Sequence, residues 1–260
     1  MNIAIVQTQP VFGEVQQNIS AALAMMDHVQ AELYVLPELF NTGYNFIDAN
    51  EAALLAEPAT GKTFRPMAAF AKKKSCYVVY GFAEKDDLLY NSSALVGPGG
   101  LIGVYRKIHL FYRENLFFTR GGNGFPVFDL PFGKVGMMIC FDWIYPEAAR
   151  TLALEGAQLI AHPSNLVLPY CPDAMVTRCL ENRVFTATAN RVGMEKRGAD
   201  DLNFIGMSEV VSPKGEILKR LSGTEPESAV VEIDLASSRN KHVNKYNDLF
   251  LDRRTDQYLL

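Results

Sequence analysis

Short apolar runs alternate along the chain with segments whose apolar residues recur at helical spacing. The first part contains the run IAIVQ at 3–7, a helical pattern at about 15–30, the run LYVLPE at 33–38 and a helical pattern, MAAFAKKK, at 67–74. Alternation of this kind is typical of proteins in which helices pack on a sheet between successive strands. The chain is therefore predicted to open as a βαβα unit of an α/β protein.

The next apolar runs lie closer together than the first ones. They are CYVVYGF at 76–82, SALVGP at 93–98 and LIGVYRKIHL at 101–110. Asp86-Asp87 and Gly99-Gly100 separate them, and these residue types favour tight hairpin turns. We therefore expect antiparallel or mixed pairing in the middle of the sheet.

The second half of the chain continues the alternation. Helices are predicted at about 146–155 and 172–182, and strands at 125–130, 134–140, 158–165, 184–192, 208–213, 216–221 and 229–235. About a dozen strands with interspersed helices favour two sheets packed face to face, with helices outside, over one open sheet. We expect a single α/β domain of αββα architecture over residues 1–260.

The segment from about 236 to 260 differs from the rest, because its aromatic and aliphatic residues follow no clean period. Apolar residues in a terminal tail need a surface on which to dock. Another subunit is the expected surface. The protein is therefore predicted to form a homodimer or a higher homo-oligomer.

Composition supports a folded core and narrows the function classes. The 260 residues are 48% hydrophobic and 21% charged, which suits one large domain with a full core. Lys and Arg number 25 against 29 Asp and Glu, a net charge of −4 without a basic block, so nucleic acid is not an expected partner. No signal-peptide pattern or run of roughly 18 apolar residues occurs, so we expect a soluble, cytoplasmic protein without membrane contact. The four cysteines are too sparse for a disulfide framework and are expected as reduced thiols.

Cys140 has the most informative position of the four cysteines. It ends the apolar run KVGMMIC, and a short turn then leads into a helix that Pro146 and Glu147 open. A thiol at such a corner lies near backbone N–H groups and a positive helix end, which would lower its pKa. The N–H of Phe141 would then face an oxyanion. The alternative is that Cys140 is a small buried hydrophobic residue.

A cysteine nucleophile needs a base, and histidine is the usual partner. His28 lies on a polar helix and His242 in the tail. His109 and His162 each lie near the end of a predicted strand. A pair of Cys140 with either of these histidines is therefore one alternative.

Two isolated charges offer a different base. Glu38 follows the apolar run LYVLP, and Lys107 interrupts the apolar and aromatic residues of LIGVYRKIHLF. Lone charges in such surroundings are costly unless they are paired. If both met Cys140 in one pocket, the carboxylate would act as the base and the ammonium would stabilise an anionic intermediate.

Three segments together resemble a known family. VLPELFNTGYNF around Glu38, YRKIHLF around Lys107 and ICFDWIYPEAAR around Cys140 are similar to the signature segments of the nitrilase superfamily of carbon–nitrogen hydrolases, in the same order. The resemblance extends from MNIAIVQTQP to the DRR-containing tail. It implies that Glu38 is the general base, Lys107 the stabiliser of the intermediate and Cys140 the nucleophile. Glu114 matches a second glutamate that positions the lysine and the substrate.

The resemblance also implies a fold and a mechanism. The fold is an αββα four-layer sandwich that dimerises with its tails crossing the interface. In the implied reaction the Cys140 thiolate attacks an amide or nitrile carbon, and ammonia or an amine leaves. Water activated by Glu38 then releases an acid from a thioester. Neither a metal nor an organic cofactor is required.

Residues near the three segments are candidates for binding the substrate. Asn165 follows a predicted strand that ends at the same sheet edge as Cys140, and Tyr44, Phe117, Phe141 and Trp143 flank the signatures. The resemblance implies that such residues line the substrate pocket. For the aromatic residues, a place in the core is the alternative.

The substrate itself is less constrained. Phe141 stands where the nitrilase branch often has tryptophan, which favours a small amide over a small nitrile, although the segments also resemble small archaeal aliphatic nitrilases. An N-carbamoyl amine is a third substrate class. A non-catalytic binding protein and a redox sensor based on Cys140 are the alternatives to an enzyme.

Overall fold

The structure, a computed structural model, describes residues 1–259. In chain order its strands are β1 (Asn2–Gln7), β2 (Leu33–Val35), β3 (Tyr77–Lys85), β4 (Leu89–Gly97), β5 (Gly100–Arg106), β6 (Val127–Leu130), β7 (Gly133–Met137), β8 (Leu159–Pro163), β9 (Phe185–Ala189), β10 (Val192–Arg197), β11 (Asp200–Ile205), β12 (Glu209–Val211), β13 (Ile217–Arg220) and β14 (Glu227–Glu232). Its α-helices are α1 (Val15–Asp27), α2 (Ala49–Leu55), α3 (Phe64–Lys74), α4 (Pro146–Leu154) and α5 (Cys171–Asn182).

The strands form two mixed six-stranded sheets and one separate hairpin. The first sheet has the order β14-β1-β2-β3-β4-β5, and the second has the order β13-β12-β9-β8-β7-β6. The central strands β1, β2 and β3 are parallel, as are β7, β8 and β9, whereas the outer pairs are antiparallel. Strands β10 and β11 pair only with each other. The antiparallel part expected after residue 76 is present as β3-β4-β5.

Alternating side chains of the first sheet face two different layers. In β1, Ile3 and Ile5 pack into the core shared with the second sheet, while Ala4 and Val6 pack against helices. This alternation follows from the two-residue period of a strand. Burial on both faces explains why the central strands are continuous apolar runs in the sequence.

The helices cover the outer face of each sheet. Apolar residues of α1 and α3 pack on the first sheet, and those of α4 and α5 pack on the second. Gly136 in β7 permits the close approach of α4, because a Cβ at that position would lie 2.8 Å from Cδ2 of Leu152. The layer order is helix, sheet, sheet, helix. The predicted αββα architecture is confirmed.

Several predicted elements are shorter than expected, and three were not predicted. The strand expected at 134–140 ends at Met137, and the one expected at 101–110 ends at Arg106. Both strands therefore end before Lys107 and Cys140, which lie in the site described below. Helix α2 and the hairpin strands β10 and β11 are additional elements, and β11 has only three apolar residues to indicate a strand.

The tail packs partly on the rest of the chain. The cationic groups of Arg150 and Lys241 lie 5.1 and 5.0 Å from the ring centroid of Phe250. Other apolar side chains of the tail are exposed, including Tyr246 at 82% and Leu251 at 84%. Among residues 1–259, no helix combines the length and apolar character needed to cross a bilayer.

Candidate active site

Lys107 lies at the centre of a fully buried ionic cluster. Its Nζ donates to Oε1 of Glu38 at 2.6 Å and to Oε1 of Glu114 at 2.8 Å. Glu38 follows β2, Lys107 directly follows β5, and Glu114 belongs to a short 3₁₀ helix at Tyr112–Leu116. A buried ammonium is costly unless opposite charges surround it, so the two carboxylates are what permits its burial.

Two neutral side chains complete this cluster. Nδ2 of Asn91 donates to Oε1 of Glu38 at 2.6 Å and to Oε2 of Glu114 at 3.3 Å. The Tyr44 hydroxyl donates to Oε1 of Glu114 at 2.5 Å. Both oxygens of Glu114 therefore accept hydrogen bonds, whereas Oε2 of Glu38 has no hydrogen-bond partner within the described residues. That oxygen is the carboxylate oxygen of the cluster to which no described side chain donates.

The electrostatics of the cluster separate the roles of its members. Burial raises the pKa of Glu38 to about 7, and the charge of Lys107 opposes this rise. Burial lowers the pKa of Lys107, but the charges of Glu114 and Glu38 outweigh it, and the net pKa lies above the usual range. Lys107 therefore remains an ammonium. Glu38 titrates near neutrality, as suits a group that accepts and returns a proton.

Cys140 lies at the corner that the sequence indicates. Strand β7 ends at Met137, and Cys140 begins a 3₁₀ helix that extends to Ile144. The φ of Cys140 is 40°, in the left-handed region that costs free energy for a residue with a Cβ. Asp142 holds this corner, since its Oδ2 accepts from the N–H of Ile139 at 2.9 Å.

The thiol of Cys140 is buried beside the ionic cluster. Burial, followed by the charge of Glu38, raises its pKa well above the usual range, while Lys107 and the N–H of Asn165 act in the opposite direction. The expectation of a lowered thiol pKa is therefore wrong. Burial removes the water that would stabilise a thiolate, and the adjacent 3₁₀ helix is only five residues long. The resting cysteine is a thiol.

Neither candidate histidine forms a pair with this thiol. Nε2 of His162 donates to the main-chain carbonyl of Cys140 at 2.9 Å, and burial lowers the pKa of His162 to about 4. Nδ1 of His109 donates to Oδ1 of Asp142 at 2.8 Å. Within the described residues no hydrogen bond joins either imidazole to the thiol. The histidines hold the backbone of the corner, and the Cys–His alternative has no geometric support.

A narrow pocket opens at Cys140. Its lining consists of Phe111, Cys140, Phe141, Trp143, Asn165, Leu166, Val167 and Leu168. Asn165 is buried, and neither its Nδ2 nor its Oδ1 has a hydrogen-bond partner within the described chain. The pocket is therefore apolar except for the thiol and one carboxamide.

The structure places the other two sequence-predicted binding residues outside this lining. Tyr44 lies beside Glu114, and Phe117 packs at the edge of a neighbouring hydrophobic cluster with its ring 5.6 Å from the guanidinium of Arg113. Phe111, which the sequence did not indicate, lines the pocket instead.

Comparison with known proteins identifies the family. A model of the carbon-nitrogen hydrolase family matches residues 2–242. The chain belongs to the carbon–nitrogen hydrolase family. This carbon–nitrogen hydrolase is 53% identical over 263 residues to a nitrilase of Pyrococcus abyssi, covering 99% of each chain. It is 34% identical over 260 residues to an (R)-stereoselective amidase of Pseudomonas sp., covering 98% of this chain and 92% of the relative.

Solved structures agree with the family assignment. An amidase from Nesterenkonia sp. superimposes on this carbon–nitrogen hydrolase with a TM-score of 0.79 and 26% identity, covering 98% of this chain and 94% of that one. A mutant of the same amidase carries the result of Michael addition of acrylamide at its active-site cysteine. The family membership and these relatives establish the chain as an enzyme that hydrolyses carbon–nitrogen bonds.

Besides Phe111 and other pocket-lining residues, three residues that position the site of this carbon–nitrogen hydrolase were missed at the level of sequence. Asn91 and Asp142 are polar side chains that hold the cluster and the corner, respectively. The sequence feature that could have indicated them is a polar residue inside a buried segment. Gly81 is the third, because a Cβ there would lie 2.4 Å from Cα of Glu38. Its hydrogen atom allows β3 to approach Glu38 closely.

Replacing Asn91 with leucine is expected to shift the pH dependence of this carbon–nitrogen hydrolase. The hydrogen bond from Asn91 lowers the pKa of Glu38, so its loss disfavours the ionised carboxylate. The acidic limb of the kcat/KM profile should move to higher pH by about one unit, since a hydrogen bond to a charged group contributes roughly 1.5–3 kcal/mol. Ser93→Ala on the same strand is the control. An unmoved or lowered limb in a folded Asn91→Leu protein would contradict this assignment.

Proposed function

We propose that this enzyme hydrolyses the carbon–nitrogen bond of a small amide through a thioester on Cys140. The observation that carries the proposal is the buried ammonium of Lys107 held between two carboxylates, with one free oxygen on Glu38, beside a pocket that contains the thiol. This arrangement supplies a nucleophile, a base and a fixed cation in a site shielded from water.

In the first half of the reaction, the sulfur of Cys140 attacks the amide carbon while the thiol proton passes to Oε2 of Glu38. The carbonyl π electrons move to oxygen, and the oxyanion is stabilised by the Lys107 ammonium and the N–H of Phe141. The tetrahedral intermediate then collapses and the carbon–nitrogen bond breaks. Glu38 returns its proton to the leaving nitrogen, so ammonia or an amine departs and a thioester remains.

In the second half, Glu38 takes a proton from water as the water oxygen attacks the thioester carbon. The second tetrahedral intermediate uses the same cation and N–H group. Breaking the carbon–sulfur bond releases the carboxylic acid, and the proton on Glu38 returns to sulfur. Glu114 and Tyr44 contact neither reacting atom in this scheme, and their role is to hold Lys107.

A small nitrile is the second candidate substrate. The 53% identical relative from Pyrococcus abyssi, which bears the name nitrilase, favours it. In that reaction the thiol adds across the carbon–nitrogen triple bond to give a thioimidate, and two waters complete conversion to the acid and ammonia. The same base, cation and nucleophile serve both substrates.

We propose that Phe141, Trp143 and Asn165 contact the substrate, while Tyr44 and Phe117 support the walls of the site. Within the described residues, the pocket lining carries no charged side chain, so a small uncharged substrate fits its chemistry. The free carboxamide of Asn165 offers one donor group and one acceptor.

We further propose a cytoplasmic protein without nucleic-acid partners. All four cysteines are buried free thiols, which is typical of a reducing compartment. The net charge of −4 gives no favourable interaction with phosphate backbones.

We also propose that residues 1–260 form one domain that assembles as a homodimer, with the tail docking on a partner subunit. Exposed apolar side chains support this, including Tyr170 at 64% and Leu180 at 47% around α5, together with Tyr246 and Leu251 of the tail. Such residues expose apolar area that association would remove from water.

Ammonia release should be measured for the wild type over short aliphatic amides, mononitriles, dinitriles and N-carbamoyl amines. Cys140→Ala is expected to abolish turnover, and Lys107→Met to lower kcat by roughly 10³-fold, because the oxyanion loses its main stabilising charge. Lys74→Met, at a half-exposed surface ion pair, is the control. Ordinary activity of Lys107→Met would overturn the mechanism, and dominant nitrile turnover would promote the second substrate. No turnover over the whole panel, with thiol-reactive probes still labelling Cys140, would show that the substrate belongs to none of these classes.

Asn165→Leu preserves the volume of the pocket but removes its free carboxamide. With the best substrate of that panel, kcat/KM is expected to fall about 10- to 100-fold, because a polar group of the substrate loses its partner in an otherwise apolar site. Val167→Leu, which changes the same wall without changing polarity, provides the comparison. Equal kcat/KM for Asn165→Leu and wild type would remove Asn165 from the substrate-binding set.

Sedimentation analysis tests the proposed dimer. The molar mass of the wild type from sedimentation should be about twice the chain mass of 28.9 kDa. Leu180→Glu should lower this molar mass towards that of the monomer, because a charge would be buried at the interface. Leu88→Glu is a matched control, since Leu88 is 52% exposed in the turn between β3 and β4. A monomeric wild type at micromolar concentration would refute the proposal.

A further inference from the structure

A buried ion pair joins the β10–β11 hairpin to the loop that carries Tyr44. Arg191 is 1% exposed and heads the largest fully buried side chains, and Glu195 is 5% exposed. A guanidinium N–H of Arg191 donates to Oε1 of Glu195, and another donates to the carbonyl of Pro10 at 3.1 Å. Nothing in the reaction scheme above uses this pair. Such a pair is costly to bury unless further hydrogen bonds satisfy its charged groups.

The carboxylate of Glu195 holds the backbone of the Tyr44 loop. Its Oε2 accepts the N–H of Tyr44 at 3.0 Å and the N–H of Asn45 at 2.7 Å. Gly43 makes this approach feasible, because a Cβ there would lie 2.8 Å from Oε1 of Glu195 and its φ is +83°. The position of the Tyr44 backbone is therefore set by a side chain about 150 residues later in the chain.

The same ion pair also supports the ring of Tyr44. The guanidinium of Arg191 lies 4.1 Å from the ring centroid of Phe204, and Phe204 packs edge-on against Tyr44 at 5.9 Å between centroids. The phenol then donates to Glu114, which accepts from Lys107. Backbone and ring of Tyr44 are thus fixed from one point in the hairpin.

We propose that Glu195 and Arg191 are positioning residues that act on the reaction through the Tyr44 phenol. The inference rests on the proposed function of the Lys107 cluster. Loss of the carboxylate would free the loop, and the phenol would move relative to Glu114 and Lys107. A displacement of about 1 Å in a positioning group can cost a reaction roughly 10²-fold.

The hairpin offers a matched control. Arg197 donates to both oxygens of Glu51 at 2.7 and 2.8 Å and to the carbonyl of Asn45 at 2.9 Å. This pair links the same hairpin to the same part of the chain, but it contacts neither Tyr44 nor the cluster. Glu51→Gln therefore shows how kcat and KM respond when the hairpin is loosened without a change at Tyr44.

The experiment is a double-mutant cycle between Glu195→Gln and Tyr44→Phe, with kcat and KM measured below the unfolding temperature of every variant. Each single variant is expected to lower kcat about 10-fold or more with a smaller change in KM. In the Tyr44→Phe background, Glu195→Gln should change kcat less than about 2-fold, because the contact that it positions is already absent. Glu51→Gln should stay within about 2-fold in both backgrounds.

A second measurement does not require turnover. The rate of Cys140 alkylation by iodoacetamide, followed by peptide mass spectrometry across pH, reports the charges around the thiol. Tyr44→Phe, Glu195→Gln and the double variant are expected to shift this profile equally, while Glu51→Gln leaves it unchanged. Phe204→Leu removes the aromatic contact with the Tyr44 ring without removing a buried charge, and it should shift the alkylation profile in the same direction. This variant keeps the test available if Glu195→Gln does not fold.

The outcomes distinguish a failure of the positioning role of Glu195 from a failure of the proposed function. The positioning role is overturned if the reductions in kcat caused by Glu195→Gln and Tyr44→Phe multiply fully in the double variant. It is also overturned if Glu51→Gln lowers kcat as much as Glu195→Gln does. If the wild type hydrolyses no substrate of the panel, the proposed function fails. The alkylation profiles then still decide whether Glu195 acts through Tyr44.

Discussion

The structure depends on one interaction, the burial of the Lys107 ammonium between the carboxylates of Glu38 and Glu114. Removing one partner of a buried ion pair typically costs about 3–5 kcal/mol, because an uncompensated charge remains. The positions of β2, β5 and the 3₁₀ helix at Tyr112–Leu116 are therefore coupled. Asn91 and Tyr44 donate to the two carboxylates, and within the described residues Oε2 of Glu38 is the carboxylate oxygen of the cluster that accepts no hydrogen bond. That oxygen is the one that the proposed chemistry needs.

The two-sheet architecture explains how such distant residues meet. Glu38 and Lys107 follow strands of the first sheet, whereas Cys140 and Asn165 follow strands of the second. The sheets share one continuous apolar core, so the loops at their edges are held at a fixed separation. The proposed nucleophile and the proposed base therefore belong to different sheets, and the packing of the whole core determines their geometry.

Much of the fold and of the candidate site was predictable from the sequence, and the elements and residues that were not predicted have physical causes. Buried strands are apolar runs, and the signature segments around Glu38, Lys107 and Cys140 are contiguous, so local sequence carries both the fold and the cluster. Strand β11 is held by a hairpin partner and by contacts with distant loops, and it has only a weak apolar pattern. Asn91 lies within a strand, where only the three-dimensional neighbourhood reveals its partners. Local patterns do not encode such long-range polar contacts.

The raised pKa of Cys140 has a consequence for the reactivity of the enzyme. Burial is the largest cause of this raised pKa, and the charges of Glu38 and Glu114 add to it against the opposing charge of Lys107, so the thiol stays protonated at rest. Oxidants and alkylating agents react with thiolates, so a buried neutral thiol is a poor redox sensor. In the proposed reaction the proton moves to Glu38 as the new carbon–sulfur bond forms, and the negative charge appears on the substrate oxygen near Lys107. In this scheme the thiol becomes a nucleophile only when a substrate is present to receive the charge.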